Sequence, residues 1–377
     1  MLAQPLSVNW VAGSTRFSIS WFKKNIMKLE TIKEKVLNHQ RLTIGEGLEL
    51  FRKADTLTLA ELAHRCRFVH HPDNIITYVI DRNINYTNIC VSGCRFCAFY
   101  ESPESGRGYV ISKQALHQKI QETLDLGGTQ ILLQGGMNPD LGLDYYTDLL
   151  KDIKANFDIH IHGFSPPEIH FLAQKTSLFL TDTIIALKKA GLSSIPGGGA
   201  EILCDEIRQK VSPNKCRAEQ WLEVMREAHL LGMKTSATMM FGHMEEDIHI
   251  FEHLNKLRSL QDETKGFTAF IPWTFQPGNT RIAVKKRTSA EYLRVLAISR
   301  IFLDNFANIQ ASWVTQGDKI AQTALFFGAN DMGSTMIEEN VVASTGVDFM
   351  LPKEEIVRLI RSADFEARQR DCYYNLL

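Results

Sequence analysis

The chain of 377 residues balances 42 Lys and Arg against 43 Asp and Glu, for a formal charge of −1, and is 44% hydrophobic. That balance leaves no electrostatic footprint for nucleic acid or an anionic membrane. No run approaches the ~18 apolar residues of a membrane span, so a cytoplasmic protein with a large core is expected.

Residues 1–26 are read as a disordered or mis-called extension, or as a bland surface helix. Val8 to Phe22 is mildly apolar but broken by Arg16, and no cleavage site follows. Residues 27–75 read as N-terminal helices. Leu29, Ile32, Val36 and Leu37 recur at helical spacing, Thr43 and Glu46 form a capping box for Gly45–Arg52, and Leu57–Val69 follows.

From residue 76 to 377, strands alternate with helical patterns such as Ser112–Leu126 and Tyr145–Ala155. The expected strands are Ile75–Ile84, Thr129–Leu133, Asp158–Phe164, Leu192–Ile195, Lys234–Phe241, Gly266–Phe275, Asn308–Val314 and Leu325–Ala329. Strand–helix alternation argues for parallel units, and eight of them predict an α/β fold of the (β/α)8 TIM-barrel type. A six-stranded partial barrel with a C-terminal lid is the alternative. The unusual glycine and polar clusters all fall at strand C-terminal ends, where such barrels collect their chemistry.

The densest chemistry follows the first strand. Asn88 to Tyr100 reads N-I-C-V-S-G-C-R-F-C-A-F-Y and spaces Cys90, Cys94 and Cys97 as C-x3-C-x2-C. Thiolates suit zinc or iron–sulfur clusters, and closed sites of either kind take four ligands. Three close cysteines without a fourth suit a four-iron cluster with one iron open. Phe96, Phe99 and Tyr100 would shield it from water. Cys66, Cys204, Cys216 and Cys372 are scattered without a pairing pattern. They read as buried small hydrophobes in a reducing compartment.

Other segments carry two readings each. Gln134-Gly135-Gly136 is a plain loop or a close approach to a ligand. Glu201, after three glycines, is a ligand-binding carboxylate or a first-turn helix residue. His160 and His162 face one side of a strand. They read as zinc ligands or satisfied core histidines, with no further ligand near them in sequence. His243, beside Gly242 at a strand end, is the better general-base candidate.

The cysteine loop, C-x3-C-x-aromatic-C, resembles that of the radical S-adenosylmethionine (SAM) superfamily. Longer segments resemble the menaquinone futalosine-pathway branch, which groups with aminofutalosine and deazaflavin-cofactor synthases. These are N-Y-T-N-I-C-V-S-G-C-R-F-C-A-F-Y (Asn85–Tyr100), L-L-Q-G-G-M-N-P-D-L (Leu132–Leu141) and H-I-H-G-F-S-P-P-E-I (His160–Ile169). P-G-G-G-A-E-I-L (Pro196–Leu203) and G-A-N-D-M-G-S-T-M-I-E-E-N-V-V (Gly328–Val342) complete the set. The matches run from about Arg41 to the C-terminus. The third-strand H-x-H-G-F-S-P-P-E and the Q-G-G-M segment look most like the cyclic dehypoxanthine futalosine synthase family.

The resemblance implies a [4Fe-4S] cluster on Cys90, Cys94 and Cys97, with SAM chelating the open iron. It implies SAM contacts from Phe96, Phe99, Tyr100, Gln134, Gly135, Gly136, Ser165, Glu201, Met240 and Gly242. A 5′-deoxyadenosyl radical would take the ribose C4′ hydrogen of dehypoxanthine futalosine. The carbon radical would then add to the benzoate ring, and loss of an electron and a proton would restore aromaticity. Substrate contacts would come from Trp273, Phe275 and Gln276, from Ser312, Trp313, Thr315 and Gln316, and from Asn330, Asp331, Ser334, Thr335 and Glu338, with Glu339 as the alternative to Glu338. His243, then Glu201, is the candidate base. A flavodoxin- or ferredoxin-like donor would supply electrons. An aminofutalosine synthase and a non-catalytic iron–sulfur or zinc protein are the competing readings.

Overall fold

The computed structural model describes residues 28–347 and 349–377, so the expectation for residues 1–26 falls outside it. Helical residues 28–37 lead into helices Ile44–Lys53 and Thr56–His70. The expected capping box forms: the Glu46 amide donates to the Thr43 hydroxyl at 3.2 Å, and the Thr43 amide donates to the Glu46 carboxylate at 2.9 Å. These helices pack along the side of the core, Thr56–His70 against Ser289–Phe302 and Ile44–Lys53 against Asp247–Thr264.

Among the described residues ten strands follow: β1 Ile75–Val79, β2 Asp81–Asn85, β3 Gln130–Gln134, β4 His160–Gly163, β5 Ser194–Ile195, β6 Lys234–Phe241, β7 Phe267–Thr274, β8 Asn308–Ile309, β9 Asp331–Ser334 and β10 Glu366–Gln369. β2 to β8 form one parallel sheet in sequence order, and β10-β1-β9 form a second parallel sheet. The expected first strand is thus two strands that change partners at Ile80. β9 spans the gap between the ends of the curl. It bridges β8 through Gln310 and Asp331 and pairs with β1, while the Ile337 amide just beyond it donates to Asp81.

The eighth stave is therefore Asp331–Ser334, six residues later than Leu325 suggested. Leu325–Phe327 is a 3-10 turn packed on helix Thr56–His70. A short apolar run reads alike in either state, and tertiary packing decided it. The seventh strand is likewise short. Its regular part is Asn308–Ile309, continued by the Gln310 bridge to Asp331, and Trp313–Gln316 turns helical.

Alternation sorts the strand residues. Ile131, Leu133, Ile161, Ile195 and Ile309 are fully buried in the main apolar core. Their neighbours of opposite parity, Gln130, Leu132, Gln134 and His162, face the barrel axis. The axis holds a cavity of about 300 Å³, lined by polar side chains such as Gln130, Gln134 and Ser312 among apolar ones such as Leu132, Ile271 and Trp273.

Candidate active site

The cysteine loop leaves β2 and is fastened to its surroundings by backbone bonds. The Cys90 amide donates to Glu101 at 2.9 Å, and the Arg281 amide donates to Arg95 at 2.8 Å. The Ser92 hydroxyl lies 3.4 Å from Cys90 Sγ and 3.0 Å from Cys94 Sγ. Amides of Ser92 and Met137 point at Cys90 Sγ from 3.5 and 3.3 Å. Burial pushes the Cys94 thiol up to about 11 and raises Cys97, whose rise is opposed by the Phe99 and Tyr100 amides. N–H donors aimed at sulfur stabilise a thiolate, so this donor set fits soft-metal ligation.

Gln134-Gly135-Gly136 does approach something closely, and that something is protein. A methyl group on Gly136 would overlap the Ile89 carbonyl and Cys90 Cβ, and one on Gly135 would meet the Tyr86 ring. The Gly136 amide donates to Thr87 at 2.9 Å and the Val91 amide to Met137 at 3.0 Å. The glycines are needed so that the turn can lie flat against the cysteine loop. A residue the sequence reading passed over holds this turn. Glu168 accepts from the Tyr86 hydroxyl at 2.7 Å, the Gly135 amide at 3.0 Å and the Ser165 amide at 2.7 Å, and also from the Ser165 hydroxyl. The Ser165-x-x-Glu168 capping box was its sequence signal. Ser165 is thus the N-cap of helix Pro166–Thr176, with its hydroxyl committed to Glu168.

Glu201 sits in the left-handed region at φ 43°, uncommon for a residue with a Cβ. Its carboxylate pairs with Lys215 at 2.8 Å and Arg208 at 3.3 Å, and its carbonyl accepts the Met240 amide at 3.1 Å. Burial alone would raise its pKa, but Lys215 and Arg208 outweigh it and keep the carboxylate below its ordinary value. The Lys215 ammonium also lies 4.9 Å over the Phe96 ring, tying Glu201 to the cysteine loop. Phe96 packs in turn on a small cluster of Met240, Phe275, Val211 and Ile282.

His243 does not fit the role of base. Its Nδ1 accepts the Met244 amide at 2.8 Å and its Nε2 donates to the Met240 carbonyl at 3.1 Å. Burial lowers its pKa, so the ring is a neutral fastener of the loop after β6, where the Gly242 amide bonds Glu245. Neither ring nitrogen is left to take a proton.

The cavity sorts the remaining candidates. Gln134, Trp273, Ser312, Trp313, Thr315 and Ser334 line it. Phe275 is buried beside Met240 instead, and Gln276 turns its amide onto Thr274. Gln316 reaches Thr274 at 2.6 Å. Asn330 is consumed by Arg300 at 2.6 Å and Asn308 at 2.9 Å. Asp331 is locked between Arg370, Thr77 and the Gly333 amide. Thr335 is buried with its amide on Val79, and Glu338 faces Lys119 and Arg82 on the outer side. These seven were expected at a strand end. The shift of the eighth stave by several residues puts Asn330, Asp331 and Thr335 inside or beside a strand.

The cavity also recruits residues that had no sequence signal. Its floor holds Asp81, bonded to Ser334 and to Gln130 at 2.7 Å, with Arg370, Cys372 and Tyr374 from the C-terminal tail. Asp81 and Glu339 are the carboxylates on its wall, and burial raises the pKa of each. Its upper end at Gln134 adjoins the turn that touches Cys90.

Residues 84–257 match the family described as the radical SAM superfamily, and residues 264–377 match the CofH/MqnC C-terminal region. A cyclic dehypoxanthine futalosine synthase from Halalkalibacterium halodurans is 45% identical over 93% of this chain and 95% of its own length. Its counterpart from Streptomyces coelicolor is 41% identical over 93% and 89%. A 5-amino-6-(D-ribitylamino)uracil–L-tyrosine 4-hydroxyphenyl transferase from Methanocaldococcus jannaschii is 40% identical over 87% and 92%. In fold, the chain resembles the hydrogenase maturase HydG from Carboxydothermus hydrogenoformans, with a TM-score of 0.71 at 16% identity over 95% of this chain and 83% of that one. No described helix is long and apolar enough to cross a membrane. A cysteine loop backed by amides, a barrel open along its axis, and identity of this extent place the chain in the radical SAM superfamily, within the family that contains the cyclic dehypoxanthine futalosine synthases.

Proposed function

We propose that this chain is a radical SAM cyclase that converts dehypoxanthine futalosine into cyclic dehypoxanthine futalosine. Cys90, Cys94 and Cys97 would hold a [4Fe-4S] cluster, and SAM would lie between the Gln134–Gly136 turn, Glu201, Met240 and Gly242. The observation that carries the reading is the junction of two features. The turn that touches Cys90 begins at Gln134, and Gln134 also lines the axial cavity. A cluster on Cys90, Cys94 and Cys97 with SAM bound would supply the radical chemistry, namely hydrogen abstraction at the ribose C4′.

The chain's own residues do the positioning. Gln134, Ser312 and Thr315 offer hydrogen-bonding groups to a ribose or carboxylate, and Trp273 and Trp313 offer aromatic surface. The cavity walls keep dioxygen and stray hydrogen-atom donors in bulk solvent away from a carbon radical. The ring proton needs an acceptor near the bound ring. Asp81, which lines the cavity and whose pKa burial raises, would take that proton in place of His243, while the Glu339 carboxylate is held by the Val341, Val342 and Ala343 amides and the Asn83 side chain. The half-buried cluster loop and free cysteines suit a reducing, cytoplasmic setting with a small electron-transfer protein as donor.

The transferase relatives define the second reading, in which tyrosine is the radical's target. Anaerobic reconstitution with iron and sulfide, followed by dithionite, SAM and either substrate, separates the two. Dehypoxanthine futalosine should drive 5′-deoxyadenosine formation and give a product lighter by two hydrogens. 5′-Deoxyadenosine formed only with tyrosine and the ribitylaminouracil would transfer the chain to the other activity.

A further inference from the structure

We propose that His160, His162 and Cys372 form a second metal site, for zinc, at the end of the barrel opposite the cysteine loop. The two histidines lie on β4 and face the same way, and the sequence offers them no third ligand nearby. The fold brings one. After β10 the tail crosses beneath the barrel and delivers Cys372, so that one ligand atom from each of the three residues lies within 4.8 Å of the others. An imidazole pair with a thiolate is a borderline-soft set suited to zinc. A tetrahedral zinc with such ligands has edges of about 3.3–3.8 Å, so modest side-chain movements close the site.

The Ser194 hydroxyl marks the centre. It lies 2.7 Å from His160 Nε2, 2.6 Å from His162 Nδ1 and 3.4 Å from Cys372 Sγ. Rotation about its Cα–Cβ bond would clear that space and leave the oxygen as fourth ligand or as partner to a bound water. The outer groups are in place as well. His162 Nε2 meets the Ser236 hydroxyl at 3.3 Å, and the Tyr373 ring holds the His160 ring edge-on at 5.0 Å between centroids. Both His162 and Cys372 line the cavity, which gives an ion a route in. On binding, Cys372 releases its thiol proton to solvent, no redox change occurs, and the metal pins the tail that floors the cavity.

The test uses the reconstituted holoenzyme, treated anaerobically with zinc sulfate and desalted. Zinc and iron are counted, and the zinc X-ray absorption edge reports the ligands. One zinc per chain with one sulfur and two imidazole scatterers is expected. Cys372→Ser should lower zinc affinity at least tenfold with iron content unchanged. His160→Gln, at a partly exposed ring, provides the same readout should Cys372→Ser fail to fold. No retained zinc, zinc in either variant equal to that of the unsubstituted protein, or a shell of sulfur alone (zinc in the cysteine loop) would overturn the site. The outcome is independent of which substrate the radical centre takes.

Discussion

Glu168 accepts the Gly135 amide at 3.0 Å, and through that bond a helix after β4 fixes the turn after β3. The same carboxylate takes the Tyr86 hydroxyl at 2.7 Å, so the turn is clamped between the start of the cysteine loop and the next helix. Burial raises the Glu168 pKa, against the four donors that surround it. Glu168→Gln would set an amide NH2 against one of those donors. It should cost about 1–3 kcal/mol in stability and lower cluster occupancy, read by denaturant unfolding and by iron content. Unchanged iron with full stability would remove Glu168 from the site's scaffold.

Gly136→Ala should disturb the cluster loop more than the fold. The new methyl meets the Ile89 carbonyl, and relief requires the Q-G-G turn to lift from Cys90. A loss of about 1–3 kcal/mol is expected, with cluster occupancy falling further than in a core variant of equal stability. Electron paramagnetic resonance of the reduced protein measures that occupancy.

Cys94→Ala should abolish the iron signal and all 5′-deoxyadenosine formation, because it removes a buried thiol that lies 3.0 Å from Ser92 between its two partners. Turnover surviving without iron would end the radical reading.

Glu201→Gln should weaken SAM binding and stability together. It leaves Lys215 and Arg208 buried without their counter-charge, which costs about 3–5 kcal/mol. SAM affinity measured by equilibrium dialysis separates two roles. Unchanged affinity would restrict Glu201 to holding the loop before helix Asp205–Val211.

Stability should fall in mild acid. Burial lowers His253 to about 3 and His229 to about 4, from an ordinary value of 6.5. The unfolded chain binds these protons first, so stability is full above pH ~6.5 and is lost as pH falls toward the folded values. At pH 5.5 the pair should cost about 3 kcal/mol. Urea midpoints at pH 7.5 and 5.5 measure the drop, and a flat profile would contradict it.

Much of this was legible in the sequence. The C-x3-C-x2-C loop, the parallel strand order through β7 and the Thr43–Glu46 cap are local patterns, set by spacing and by hydrogen-bonding needs within a few residues. Gln134, Trp273, Ser312, Trp313, Thr315 and Ser334 reached the cavity because strand ends of a barrel converge. His243 failed because proximity of glycine and histidine says nothing about which groups will satisfy the ring nitrogens. Asn330 and Asp331 failed because a short apolar run at Leu325 reads alike as strand or turn.

Ligand type and periodicity are local properties, so the order of residues sets the available chemistry, a soft-metal loop with aromatic cover ahead of an α/β barrel. Which side chains meet depends on how the barrel packs. Lys215 finds Glu201 and Phe96, Arg370 finds Asp331, and Cys372 finds His160 and His162. Each meeting joins segments distant in the chain, and a buried charge or polar group takes whatever partner the packed barrel places within reach.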